Sequence, residues 1–289
     1  MIQENSPQKE NFITKIREIV LVRNKTNEQL EKLLEKMKSR RWLVILGCVV
    51  TLTFTVTDKL GGFLVVLYIT YYVTIQHVLR IRRFLQTYAS SRNLNFGNNL
   101  DEKTLTGRIL KRIDGRFDGS FVFNNHSNFL NKIFYFSYDG GSGKHPEIYN
   151  FTLTEITIDQ AVIPYILLQK NSAKKHQSFD SFGDDKDVQV SLGAYDNEYT
   201  LYTTNHYEVE ALQICAPEFV DLIKNSYLPL NVEFTENHLY IYTQTHLSTE
   251  KDLDELCRVT YAVIDTFGNF LLRMKDDYQA LHDVYRKEK

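Results

Sequence analysis

The chain has 289 residues, a formal net charge of -2 and 43% hydrophobic residues. This length suits one large domain or two modest ones. The near-neutral charge gives no support for nucleic-acid binding, so we expect no nucleic-acid partner. Three cysteines without a CxxC pattern argue against a disulfide framework or a cysteine-based zinc site.

Residues 1–41 are predicted to form amphipathic helices. Apolar residues recur at helical spacing from Asn11 to Val22, and Thr26 with Gln29 makes a capping-box pattern that starts a second helix through Met37. The first long apolar run begins only at Trp42, so we expect no cleaved secretory signal.

Two apolar runs of 16 residues each, Trp42–Thr57 and Leu60–Ile75, are separated by a charged pair. One helix over both runs would be about 50 Å long, which is too long for a hydrocarbon core of about 30 Å. A transmembrane hairpin over 42–79, with helices 42–57 and 60–79, fits better. Asp58, Lys59, Gly61 and Gly62 would form its turn. Each run is shorter than the roughly 20 residues of a spanning helix, so full crossing stays open.

Positive residues lie on both sides of the predicted hairpin. They are Lys32, Lys36, Lys38, Arg40 and Arg41 before it, and Arg80, Arg82, Arg83 and Arg92 after it. By the positive-inside rule, both termini are cytoplasmic and the protein is in the cell (inner or plasma) membrane. Trp42, the turn residues, Arg80, Arg82 and Arg83 form the predicted anchor, and the lipid bilayer is the first expected partner.

Residues 80–117 are predicted to be juxtamembrane. The second hairpin helix continues to about Arg92, the Ser/Asn/Gly-rich stretch SSRNLNFGNN is a linker, and Asp101–Asp114 is a short helix. Its basic residues Arg108, Lys111 and Arg112 are candidates for contact with anionic lipid headgroups. The alternative is a solvated helix that covers the following domain, which the acidic residues at 101, 102 and 114 favour.

Residues 118–289 are predicted to form a cytoplasmic α+β domain. Alternating apolar residues predict a series of strands from SFVFNN to HLYIYTQ, with a tight hairpin at Glu236-Asn237 between the last two. A helix over 206–225, whose second half starts at Pro217, is inserted before them, and a long helix from about Ser248 or Thr249 ends the chain. This order indicates a mainly antiparallel sheet.

Sequence motifs identify no catalytic, cofactor-binding or metal-binding residue. GGSGK at 140–144 lacks the first Gly and the Ser or Thr of a phosphate loop and is better explained as a hairpin turn. The eight histidines are scattered, and the acidic residues at 180, 184, 185 and 187 do not have EF-hand spacing. Cys215 and Cys257 are predicted to be buried, inert thiols.

Several stretches carry a family resemblance: FYFSYDGGSGKHPEIYNFTLTEI, IPYILLQK, YTLYTTNHYEVEALQICAPEFVDLI and NVEFTENHLYIYT. In these stretches the chain resembles a family of uncharacterised bacterial membrane proteins. That family has an N-terminal double transmembrane hairpin and a cytoplasmic α+β domain. The resemblance implies this layout and brings no activity, cofactor or site residue.

We expect a membrane-anchored binding or scaffold protein, not an enzyme, whose cytoplasmic domain contacts an unknown protein, peptide or lipid headgroup. One alternative is an enzyme acting on a membrane or envelope substrate, with His145, His206 and the acids of 180–187 as first candidates. Another is a hairpin that shapes membranes or self-associates through the small-residue face at Gly47, Thr51 and Thr55, which leaves a homo-oligomer open.

Overall fold

The structure is a computed structural model. It describes residues 27–39, 59–98, 100–101, 104–111, 115–127, 129–139, 148–158, 163–172 and 187–287. The chain divides into two compact units, Met1–Thr87 and Tyr88–Lys289, which we call the helical unit and the sheet unit.

Two helices make up the described part of the helical unit. Helix α1 spans Asn27–Ser39, and helix α2 spans Lys59–Ser91 and ends in the sheet unit. Leu30 and Leu34 of α1 form one buried cluster with Ile75 and Leu79 of α2. The exposed pair Glu31–Arg83 also joins the two helices, with Oε1 and Nη2 3.1 Å apart.

Helix α2 differs from the prediction at its start. Lys59, Gly61 and Gly62 were predicted to form a turn, but they lie in the first turns of α2. A helix accepts glycine at a cost of about 1 kcal/mol, which the strongly apolar stretch that follows can offset. At its other end α2 reaches Ser91, which confirms that the second helix continues to about Arg92.

The membrane prediction concerns residues both inside and outside the described ranges. Within the described residues, no helix is long and apolar enough to cross a membrane. The first apolar run, Trp42–Thr57, and Asp58 lie outside the described residues, as does the helix predicted over 11–22.

The sheet unit contains one nine-stranded sheet in which all paired strands are antiparallel. Its strands are β1 (Asn95–Gly97), β2 (Gly115–His126), β3 (Phe129–Asp139), β4 (Ile148–Thr157), β5 (Ile163–Lys170), β6 (Asp187–Val190), β7 (Tyr199–Thr204), β8 (Leu230–Glu236) and β9 (His238–Thr243). The predicted α+β class with an antiparallel sheet is confirmed.

The strand order is β1-β2-β3-β4-β9-β8-β5-β7-β6, so β9 joins two halves of the sheet. On one side lie β1 to β4 in chain order, and on the other lie β8, β5, β7 and β6. Strands β8 and β9 form the tight hairpin predicted at Glu236-Asn237, and Glu236 has a φ of 55° there.

Helices cover one face of the sheet, which we call the helix face. They are α3 (Glu208–Ile214), α4 (Pro217–Lys224) and α5 (Glu250–Lys287), with Pro217 in the first turn of α4 as predicted. Thr249 caps α5 by accepting a hydrogen bond from the Asp252 N–H at 3.2 Å. The ring of Phe219 packs between Phe234 of β8 and Phe267 of α5, at centroid distances of 5.9 and 5.1 Å.

The opposite face is covered by residues 104–111, which we call the strap. Leu105, Ile109 and Leu110 of the strap join a buried cluster with aromatic side chains of the central strands. The helix predicted over Asp101–Asp114 is therefore wrong for the strap, whose described residues contain no α-helix but include a short 3-10 helix, Arg108–Lys111. Two of its backbone N–H groups, those of Thr106 and Arg108, bond to side chains of the sheet instead.

Strand β1 lies in the stretch that was predicted to be a linker. Asn95, Phe96 and Gly97 pair with Phe123, Val122 and Phe121 of β2 at the edge of the sheet. Gly97 is needed there, because a Cβ at this position would lie 2.4 Å from the ring of Phe121.

Candidate functional site

Four polar side chains form a row across the centre of the sheet face that the strap covers, which we call the strap face. Lys132 of β3 lies opposite Glu155 of β4, Glu155 lies opposite Tyr240 of β9, and Tyr240 lies opposite Glu233 of β8. Side chains at directly opposite positions of antiparallel strands lie on the same face of the sheet. The row therefore places two carboxylates, an amine and a phenol side by side.

Glu155 is the centre of the row and is fully buried. Lys132 Nζ lies 2.9 Å from its Oε2, His238 Nδ1 lies 2.9 Å from its Oε1, and the Tyr240 hydroxyl donates to Oε1 at 3.2 Å. Burial alone would raise the pKa of Glu155, but contact with His238 and the charge of Lys132 outweigh it, so the pKa lies below its ordinary value. Glu155 is a buried anion with a full set of partners.

The strap attaches to the same row through backbone groups. The N–H of Arg108 donates to Glu233 Oε1 at 2.5 Å, and the N–H of Thr106 donates to the Tyr240 hydroxyl at 3.1 Å. Burial and the neighbouring Glu155 carboxylate raise the pKa of Tyr240, so its hydroxyl stays protonated. The two backbone donors fix the strap over the central strands.

The side chain of Arg108 is also held within the sheet unit. Its guanidinium carbon lies 3.4 Å from the ring centroid of Tyr165, and the guanidinium forms an ion pair with Asp187 of the edge strand β6. Arg108 was one of the predicted headgroup contacts. The side chain of Lys111 and all of Arg112 lie outside the described part, so for them that role stays a prediction.

A second polar row lies next to the first on the strap face. Tyr242 of β9 is opposite Asn231 of β8, and Gln169 of β5 follows on the far side of β8. All three side chains are fully buried. Asn231 Oδ1 accepts a hydrogen bond from the Lys170 N–H at 2.9 Å. Both amide atoms of Gln169, Asn231 Nδ2 and the Tyr242 hydroxyl have no hydrogen-bond partner among the residues that the structure describes.

The described groups are poorly suited to nucleophilic or metal chemistry. Burial raises the pKa of Cys215 to about 12 and that of Cys257 to about 11, so both thiols stay protonated at neutral pH. Within the described ranges, no group of three or more His, Cys, Asp or Glu residues is placed to hold a metal ion.

The structure describes two members of the predicted enzyme candidates. His206 is exposed in the turn after β7, with a φ of 78°, and Asp187 is paired with Arg108. His145 and the acids at 180, 184 and 185 lie outside the described residues.

The predicted anchor residues that are described occupy different environments. Arg80 and Arg83 are exposed, whereas Arg82 is only 1% exposed and so does not face solvent. Trp42 lies with Asp58 outside the described residues.

The motif search missed the buried row because its members come from four strands. A signal was nevertheless present in the sequence. Glu155 alternates with Phe151 and Leu153 along β4, which places a charge on an apolar face. Such a charge needs a partner from another strand, and Lys132 supplies it.

Comparisons with known proteins give little further information. No family model matches the chain, and no curated protein matches it. Among solved structures, it is similar to the mycobacterial trehalose monomycolate transport factor A, TtfA. The two are 12% identical, the match covers 64% of this chain and 93% of that one, and the TM-score is 0.46. A likeness at this level assigns no function.

Proposed function

We propose that this protein is a membrane-anchored binding protein. Its helical unit inserts into the bilayer as a hairpin, both termini are cytoplasmic, and its sheet unit binds a protein or peptide beside the membrane. The proposal is supported by the contact between α1 and α2, which is expected if the chain turns back between these two helices.

The ion pair between Glu31 and Arg83 places these two residues at the same level of the helix pair. In an antiparallel pair each step forward along α1 is a step backward along α2, because both rise 1.5 Å per residue. The end of α1, Ser39, is then level with Ile75, about 24 Å from Lys59. The stretch 40–58 has 19 residues, which is enough for the proposed hairpin to cover this distance as a helix of about 28 Å.

The sequence supports the same apex for the proposed hairpin. Residue 57 is midway between Glu31 and Arg83 in the chain, and it is the last residue of the first apolar run. The charged pair Asp58-Lys59 follows immediately. Trp42 is the first residue of the first apolar run, and aromatic residues of this kind are enriched at membrane interfaces.

The strap face supports a binding role over a catalytic one. Both buried carboxylates have close partners: Glu155 contacts Lys132 and His238, and Glu233 accepts the N–H of Arg108. Such a network stabilises and specifies the sheet. A sheet with both faces covered offers its edges, loops and exposed helix surfaces to a partner.

The anchor is tested with cysteine variants made in a Cys48→Ser background in a bacterial host. Asp58→Cys probes the apex, and Lys251→Cys, at an exposed position of α5, is the matched control. We expect the protein in the membrane fraction after an alkaline wash. An impermeant maleimide should label the Asp58→Cys variant in intact cells and the Lys251→Cys variant only after permeabilisation. Recovery of the full chain in the soluble fraction would overturn the proposal.

A further inference from the structure

The exposed face of α2 changes from apolar to polar and basic side chains within one turn. Ile69 and Val73 are exposed large apolar side chains, at 49% and 57% of their full surface. His77 and Arg80 follow on the same face at helical spacing, and both are exposed. An apolar stretch that gives way to polar and basic groups in this manner is the pattern of a helix passing through a membrane–water boundary.

Helix α1 brings basic residues to the same level. Lys32 and Lys36 are both exposed. In the antiparallel pairing of the proposed hairpin, with Glu31 level with Arg83, Lys36 would be level with Val78 and Lys32 with Arg82. Exposed basic side chains of both helices would therefore lie just beyond the exposed apolar residues of α2.

We propose that Lys32, Lys36, His77 and Arg80 form a collar that binds the headgroups of anionic phospholipids. This inference rests on the proposed membrane insertion and adds to it the lipid class and the level of the bilayer surface, between Val73 and His77. The proposed headgroup contacts are therefore in the collar and not at Arg108, whose guanidinium is bound to Tyr165 and Asp187.

Charge complementarity supports this choice of partner. A basic residue near an anionic membrane surface increases binding about fivefold, and the effect weakens with salt. The exposed apolar pair Ile69 and Val73 supplies contact with acyl chains at the adjacent level. Neutral headgroups would match the apolar pair but not the collar.

Trp42 is the single tryptophan of the chain, and it is the first residue of the proposed hairpin. The full chain is reconstituted in phosphatidylcholine vesicles that contain about a third phosphatidylglycerol. Quenching of Trp42 by brominated phosphatidylcholine reports insertion. Energy transfer from Trp42 to dansyl-labelled phosphatidylglycerol, relative to dansyl-labelled phosphatidylcholine, reports which lipid surrounds the collar.

We expect more transfer to the anionic probe, and a several-fold smaller preference in Lys36→Gln/Arg80→Gln and at high salt. The matched control, Lys251→Gln/Arg258→Gln, removes the same charge from the sheet unit and should keep the preference. Two results would overturn the collar alone, provided that Trp42 is quenched. One is equal energy transfer to both probes, and the other is a preference for the anionic probe that Lys36→Gln/Arg80→Gln leaves unchanged. Unquenched Trp42 would overturn the membrane proposal itself.

Discussion

Nζ of Lys132 lies 2.9 Å from Oε2 of Glu155, and the carboxylate is fully buried between three strands. Removing one member of a buried pair leaves an uncompensated charge, whereas removing both does not. The free energies of unfolding of single and double variants should therefore show whether Lys132 and Glu155 act as a pair.

Lys132→Met is expected to lower the free energy of unfolding of the sheet unit by about 2–4 kcal/mol, because Glu155 keeps only His238 and Tyr240 as partners. The double variant Lys132→Met/Glu155→Gln should recover at least half of this loss. Urea unfolding followed by circular dichroism measures both. A double variant no more stable than the single one would show that the pair does not act as a unit.

The depressed pKa of Glu155 predicts an acid-sensitive stability. A carboxyl whose folded pKa is below its unfolded pKa stabilises the fold above the unfolded value, near pH 4.5, and loses that contribution as pH falls through the folded pKa. The stability of the wild type should therefore drop below about pH 4.5. In Lys132→Met/Glu155→Gln the drop should be smaller, as measured by urea unfolding at a series of pH values. Equal slopes would contradict this assignment.

Two amide side chains of the second polar row, those of Gln169 and Asn231, should respond in opposite ways to replacement by an apolar residue. Gln169→Met removes amide atoms that have no partner, so we expect a gain of about 1 kcal/mol in the free energy of unfolding. Asn231→Leu removes the acceptor of the Lys170 N–H and should cost about 1–3 kcal/mol. Thermal or urea unfolding of the two variants makes the comparison, and destabilisation by Gln169→Met would reveal a bound group at that amide.

The raised pKa values of the two buried thiols predict that they react slowly with thiol reagents. In a Cys48→Ser variant at pH 8, Cys215 and Cys257 should react with a disulfide reagent at less than about 1% of the rate in urea, because little thiolate is present and access is blocked. Labelling of native protein at the rate of the unfolded chain would show that one thiol is accessible.

The strands were predictable because alternation of apolar residues is a local signal. Strand β1 was missed because three residues in a Ser/Asn/Gly-rich stretch carry too little of that signal. The strap was predicted as a helix because Leu105, Ile109 and Ile113 have helical spacing. What overrides this spacing is distant in sequence: the acceptors on Tyr240 and Glu233 are 134 and 125 residues from the strap donors they hold.

The buried polar row could not be predicted from the sequence for the same reason. Each of Lys132, Glu155, Tyr240 and Glu233 is an ordinary strand residue in its own segment, and only the strand order β3-β4-β9-β8 brings them together. A charge on the apolar register of β4 was the one local indication. The partner could not be chosen from sequence, because the strand order that selects the neighbours of β4 is set by the whole sheet.

The central position of β9 has a consequence for biosynthesis. It is the last strand to leave the ribosome, yet it connects the two halves of the sheet and supplies the hydroxyl that receives the strap. Nascent chains that end before His238 would hold two separate half-sheets with unpaired edges at β4 and β8. Closure of the sheet therefore comes late, after most of the unit has been translated, and the incomplete edges are where a chaperone would be needed.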